Sequence, residues 1–262
     1  MLIDTHCHVD PKYFPDGLDE ALERARSAGV DTFVAIGVGE DLAMARHVVE
    51  VASRRDDVHA VVGVHPHDAR HLDAAMLAEL EPLAAHPRVV AVGEIGLDYH
   101  YMHSPRDKQH DVFRRLIALA RSVKKPIVVH TREAPDDTLA ILEEEGARDV
   151  GGIIHCFSED RRFAERALAI DFDLSFSGIV TFKTARAVHE VAAWAPADRI
   201  LVETDSPYLA PVPMRGKPCE PAYVVHTARR VAELRGESYE QLAARTSANA
   251  RRRLRLGVPS PQ

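Results

Sequence analysis

The stretch Leu2-Ile-Asp-Thr-His-Cys-His8, then Leu18-Asp-Glu-Ala-Leu-Glu-Arg-Ala25, then Thr32-Phe-Val-Ala-Ile36 contains the rule by which the rest of the chain is built. A short apolar run without polar alternation reads as a strand covered on both faces. A segment with apolar residues at i, i+3 and i+4 reads as an amphipathic helix. Strand, helix and strand in that order form a βαβ unit with parallel strands. The unit recurs: apolar runs stand at 2–3, 32–36, 60–64, 89–92, 127–129, 153–154, 174–176 and 200–202, with helical patterns such as 112–120 and 185–193 between them. Right-handed crossovers joining eight such units close into a (β/α)8 TIM barrel of the α/β class, which this pattern favours over an open doubly wound sheet.

The length agrees, since 262 residues match the roughly 250 of such a barrel. No Gly/Ser/Pro-rich linker divides the chain, so 1–262 reads as one domain. A formal charge of −7 denies nucleic acid a broad electrostatic footprint, and any phosphate site must be local. Three scattered cysteines without a CxxC pair point away from a disulfide framework and towards a reducing, cytoplasmic setting. Neither a signal peptide nor a membrane span is expected, and nothing suggests a protein partner. Two helices are expected at 222–235 and 239–255, and the basic run Arg251-Arg-Arg-Leu-Arg255 reads as cations on a solvated helix end. The long Pro-rich loop after the last strand, 206–221, reads as functional rather than connective.

A parallel barrel gathers its strand C-termini into one mouth, so the residues after each apolar run decide the chemistry. They are His6-Cys7-His8, His65-Pro66-His67, Gly93-Glu94, His130, His155 and Glu203-Thr204-Asp205. Alternation puts His6 and His8 on one side of their strand and leaves Cys7 to packing. So many imidazoles and carboxylates cannot share one mouth as mere buried polar groups, because each would need its own partner. A pair of divalent cations satisfies them together. The expected assignment places His6, His8 and Asp205 on one ion and His130 and His155 on the other, with the Glu94 carboxylate between them. This N/O donor set suits Zn²⁺, Mn²⁺, Co²⁺ or Fe²⁺, and Mg²⁺ less well. Glu203 is expected to fix a neighbouring histidine, and His67 to be an ordinary loop residue. His47, His59, His86, His189 and His226 are expected in helices or turns away from strand ends.

Ile3-Asp-Thr-His-Cys-His, Gly63-Val-His-Pro-His, Gly93-Glu-Ile-Gly-Leu-Asp-Tyr, Val129-His-Thr-Arg-Glu-Ala, His155-Cys-Phe-Ser, Val202-Glu-Thr-Asp-Ser-Pro-Tyr-Leu, Arg215-Gly-Lys and Asn249-Ala run almost end to end along the chain. In them the chain closely resembles the TatD-like deoxyribonucleases, metal-dependent hydrolases of the amidohydrolase superfamily. The resemblance implies a TIM barrel, a two-metal centre on the six ligands above, and hydrolysis of phosphodiester bonds from a DNA 3′ end. DNA ends or short single strands would then be the substrate. Two positions depart from the family pattern, Glu159 where a small Gly is common and Cys219 where Asn is usual, both in loops expected to contact substrate.

On this reading the metals supply hydroxide from a bound water near neutral pH, and Asp205 orients or deprotonates that water. His65 is expected to contact the scissile phosphate or leaving oxygen, with Arg132 as a second cation unless it pairs with Glu133. Three rivals stand beside it: another amidohydrolase reaction, the same centre acting on a different ester such as an aminoacyl-tRNA, and a binding protein that has lost its chemistry. The last conflicts with a complete ligand set.

Overall fold

A computed structural model of the chain describes residues 1–257. Its strands are β1 (Leu2–Cys7), β2 (Val30–Gly37), β3 (Val58–Val62), β4 (Val89–Asp98), β5 (Ile127–Arg132), β6 (Gly152–Ile154), β7 (Phe172–Phe176) and β8 (Ile200–Val202). Each overlaps one of the eight apolar runs. The helices are α1 (Leu18–Ser27), α2 (Ala43–Arg54), α3 (Ala74–Ala85), α4 (Arg106–Ser122), α5 (Pro135–Glu144), α6 (Arg161–Ala169), α7 (Arg186–Trp194), α8 (Val224–Arg235) and α9 (Tyr239–Leu254). All strand pairs are parallel and follow chain order from β1 to β8. The ring closes where Cys7 bridges Ser206, the His8 N–H donates to the Ser206 carbonyl at 2.8 Å, and the Asp205 N–H donates to the His6 carbonyl at 2.9 Å. The fold is a TIM barrel.

Two apolar layers follow from the alternation of side chains along parallel strands. The outer one lies between strands and helices; Cys7 belongs to it, as packing. The inner one is formed by Ile3, Val34, Ile36, Val61, Ala91, Val128, Ile153 and Leu201, and α9 seals its lower end with Ala250 and Leu254, joined by Leu256. The basic run therefore does not lie wholly on a solvated face, as its composition suggests. Arg253 is buried and forks onto Asp171 and Asp173, the latter without solvent exposure at the start of β7; Arg199 and Arg252 join the same carboxylates. An acidic floor inside the barrel accounts for these cations, and no local sequence pattern announces it. Asn249 donates its amide to the carbonyls of Ala197 and Ile200, tying α9 to the foot of β8. His59 also departs from expectation: it lies in β3, at the end away from the mouth. No helix among the described residues is long and apolar enough to cross a membrane.

Strand β4 extends to Asp98, so Glu94 sits within the strand and not after it. Its register against β5 slips between Val92 and Ile95: Val92 faces Ile127, whereas Ile95 faces Val129. One residue is extra there, which makes a bulge that turns Glu94 towards the barrel axis. Two residues on, Gly96 faces His130 with φ +143°, and a Cβ at Gly96 would lie 2.0 Å from the His130 carbonyl oxygen. Gly96→Ala should therefore cost about 1–3 kcal/mol of stability and displace His130. A lowered thermal midpoint together with reduced metal content would show both effects; wild-type metal content would show that His130 had not moved.

Candidate metal centre

The mouth gathers all six expected ligands. Glu94 is fully buried at its centre, and its two oxygens face different neighbours. Oε2 lies 3.4 Å from His6 Nε2, whereas Oε1 lies 2.8 Å from His155 Nε2, 2.8 Å from His130 Nδ1 and 3.4 Å from His65 Nε2. Asp205 completes the first side, with Oδ1 at 3.6 Å from both His6 Nε2 and His8 Nε2. Burial alone would raise the Glu94 carboxyl, but His155, His65 and His130 hold it well below the usual range. Burial likewise opposes ionisation of Asp205, and His8, His155 and His6 overcome it.

His6 tests whether a cation fits. Its ring is fully buried, and neither Nδ1 nor Nε2 has a hydrogen-bond partner. Burial and the neighbouring His155 keep it from protonating. A neutral imidazole stranded in this way costs a few kcal/mol, and a cation accepting its lone pair removes that cost. Among the described residues four sets of donor atoms converge closely enough to hold an ion, three of them at this centre: His6, His8 and Asp205; His65, Glu94 and His130; His6, His155 and Glu203; the fourth, Glu40, Asp68 and His71, contains none of the expected ligands. The second set introduces His65, which the sequence reading kept out of the ligand list. Its Nδ1, however, accepts the His67 backbone N–H at 3.1 Å. Burial lowers the ring to about 4, and with Nδ1 accepting, the one proton of the neutral ring sits on Nε2, on the Glu94 side of the cavity wall. A nitrogen carrying a proton donates a hydrogen bond and does not ligate.

The chain has known relatives. The family model described as TatD related DNase matches residues 3–255. The chain belongs to the TatD family. It is 43% identical over 256 residues to the metal-dependent hydrolase YabD of Bacillus subtilis (strain 168), covering 98% of this chain and all of that one. It is 34% identical over 249 residues to a Rahnella protein named 3′-5′ ssDNA/RNA exonuclease TatD, covering 91% and 92%. Among solved structures, the TatD homologue YjjV of Escherichia coli K12 superposes with a TM-score of 0.88 at 28% identity, covering 98% of each chain. The protein is thus a metal-dependent hydrolase.

Around this TatD centre lie residues whose importance the sequence reading missed. Asp98 is fully buried, and its Oδ2 lies 3.1 Å from both His130 Nε2 and His67 Nε2. Its Oδ1 accepts the backbone N–H groups of His100 and Tyr101, and Gln109 braces its main chain from both sides. His130 is consequently oriented with Nδ1 towards Glu94. His67 is part of this arrangement and not a passive loop residue. Glu203 acts on His155 in the same way, at 3.1 Å from Nδ1, which leaves Nε2 towards Glu94. Asp4, also fully buried, accepts from the Thr204 N–H at 2.9 Å and hydroxyl at 2.5 Å, and so positions the residue before Asp205. Burial lifts its carboxyl to about 8. The clue to Asp98 and Asp4 was their place inside the quoted motifs, although neither is among the residues singled out from the apolar pattern. Asp98→Asn should weaken metal affinity about 10- to 100-fold through loss of His130 orientation, as read by metal titration of the stripped protein; unchanged affinity would rule that out.

The centre opens into a cavity of about 780 Å³ lined by His8, His65, Asp98, Arg132, Tyr101 and Tyr208, among others. Arg132 does not pair with Glu133, which instead bonds His100 at 2.7 Å, and among the described residues no carboxylate pairs with Arg132. Its guanidinium lies over the Tyr101 ring, 4.7 Å from the centroid. Glu159 and Cys219 do not line the cavity, contrary to expectation. Cys219 is buried behind the mouth loop, with its N–H on the Pro207 carbonyl, so that departure concerns packing.

Proposed function

We propose that this TatD protein, acting as one domain over 1–262, hydrolyses phosphodiester bonds at the 3′ end of single-stranded DNA. The observation that carries the reading is the pairing, in one cavity, of the imidazole–carboxylate cluster with an unpaired guanidinium, Arg132, and a neutral donor, His65. An anionic ester needs both. The name of the Rahnella relative supports nucleic acid and the 3′ direction. His6, His8 and Asp205 would hold one divalent cation and His130 and His155 a second, with Glu94 shared, since its two oxygens face the two groups. When bound, Zn²⁺, Mn²⁺ or Mg²⁺ supplies Lewis acidity and an acidified water.

The remaining roles belong to the chain. Asp205, ionised and beside His8, accepts the proton of the attacking water. The His65 Nε2–H donates to a non-bridging or leaving oxygen, and Arg132 offers its fork to the phosphate. Asp98 and Glu203 hold the rings of His130 and His155. Cytoplasmic residence fits three free thiols. The test is incubation of the purified protein with end-labelled single-stranded DNA, an RNA oligomer and a generic phosphodiester, each with Mg²⁺, Mn²⁺ or Zn²⁺. Metal-dependent shortening of DNA from the 3′ end is expected. No cleavage in any combination would overturn the nuclease reading, and cleavage of the generic ester alone would restrict the substrate to something other than nucleic acid.

A further inference from the structure

Among the described residues five large apolar or aromatic side chains are exposed, and only two of these are aromatic, Tyr101 at 51% and Tyr208 at 50%. Both line the central cavity, on loops that leave different strands, β4 and β8. Each is tied to the centre through its backbone: the Tyr101 N–H donates to Asp98 Oδ1 at 2.9 Å, and the Tyr208 N–H donates to the Asp205 carbonyl at 2.9 Å. The side chains are held as well. Tyr208 shares a hydroxyl contact of 3.1 Å with Tyr13 and stands edge-on to His8, with ring centroids 5.7 Å apart. Tyr101 lies parallel to His103, 5.5 Å between centroids, and edge-on to His67 at 5.4 Å. Exposure of aromatic area is unfavourable, yet these two rings are fixed in the open on opposite flanks of the reactive cluster.

From these observations, and resting on the nuclease reading above, we infer that Tyr101 and Tyr208 are stacking platforms for the two nucleobases that flank the scissile phosphate. Stacking suits every base, because each has a π face, so such a site selects unpaired strands without reading sequence. A paired base has its faces occupied by neighbours and is refused. Arg132 couples this binding to the phosphate. At rest its guanidinium covers the Tyr101 ring, an exposed cation–π contact weaker than a charge-assisted hydrogen bond to phosphate. Arrival of the phosphate draws Arg132 from the ring and clears it for a base. The mouth thereby binds a polyanion on a chain of charge −7 with local contacts to two nucleotides.

The test uses the full-length metal-loaded protein and 5′-labelled single-stranded DNA that is intact, or carries a tetrahydrofuran abasic unit at the 3′-terminal or the penultimate nucleotide. For the wild type, kcat/KM should fall roughly 5- to 150-fold for each base removed, the effect of one stacked base expressed as a rate ratio. Tyr101→Ala should abolish the preference at one of the two positions and Tyr208→Ala at the other, whereas Tyr101→Phe and Tyr208→Phe should retain it. Metal content measured beside each assay separates loss of stacking from damage to the centre. Equal cleavage of intact and abasic strands by the wild type, or full retention of the preference in the alanine variants, overturns the inference and leaves the nuclease reading standing. Failure to cleave any oligomer with any metal overturns both.

Discussion

Replacing Glu94 with Ala should lower the bound metal sharply and slow hydrolysis about 10³-fold or more, the rate equivalent of several kcal/mol of lost charge stabilisation. Four imidazoles, His6, His65, His130 and His155, lie within 3.4 Å of this one carboxylate. Removing it takes away the anion they share, in a place where solvent does not reach. Neighbours cannot fill the gap: Asp205 faces His6 and His8, Asp98 faces the outer nitrogen of His130, and Glu203 faces that of His155. Elemental analysis of the purified variant is the decisive measurement. Full metal occupancy would show that Glu94 is not the shared ligand, whatever the rate.

Asp205→Asn should reduce kcat about 10²- to 10⁴-fold, the range for loss of a positioned acid–base group. The substitution is gentle on the backbone. Asp205 has φ +58°, a left-handed conformation that Asn tolerates as readily as Asp. Its N–H bond to the His6 carbonyl is a main-chain contact and survives. What disappears is the negative charge and its capacity to take a proton. Near-normal hydrolysis with metal still bound would remove Asp205 from the proton-accepting role.

The strand ends were legible because chain order and topology together leave them little freedom: once eight parallel strands are joined in sequence, the residues after each run must meet. His6, His8, His130, His155 and Asp205 follow from that alone. Glu94 was found for a slightly different reason than the one that places it, since it lies inside β4 and reaches the axis through a bulge that periodicity cannot show. Asp98 and Asp4 were harder. The value of each depends on partners far away in sequence: Asp98 serves His130, 32 residues on, and Asp4 serves Thr204, 200 residues on. The basic end of α9 was misread because the acids that neutralise it, Asp173 inside β7 and Asp171 just before that strand, lie far away in sequence at the barrel floor. Hydrogen bonds between distant elements have no local signature.

The seal that α9 places under the inner apolar layer also has a bearing on the order of events during biosynthesis. Ile3 and Val34 leave the ribosome long before the residues that cover their lower side, Ala250, Leu254 and Leu256. A nascent chain halted before Tyr239 would carry every one of the six proposed ligands and still have an unstoppered lumen open to water. Such a fragment offers chaperones and proteases a recognisable apolar opening. The residues of the mouth are thus all encoded before the plug that closes the far end of the barrel.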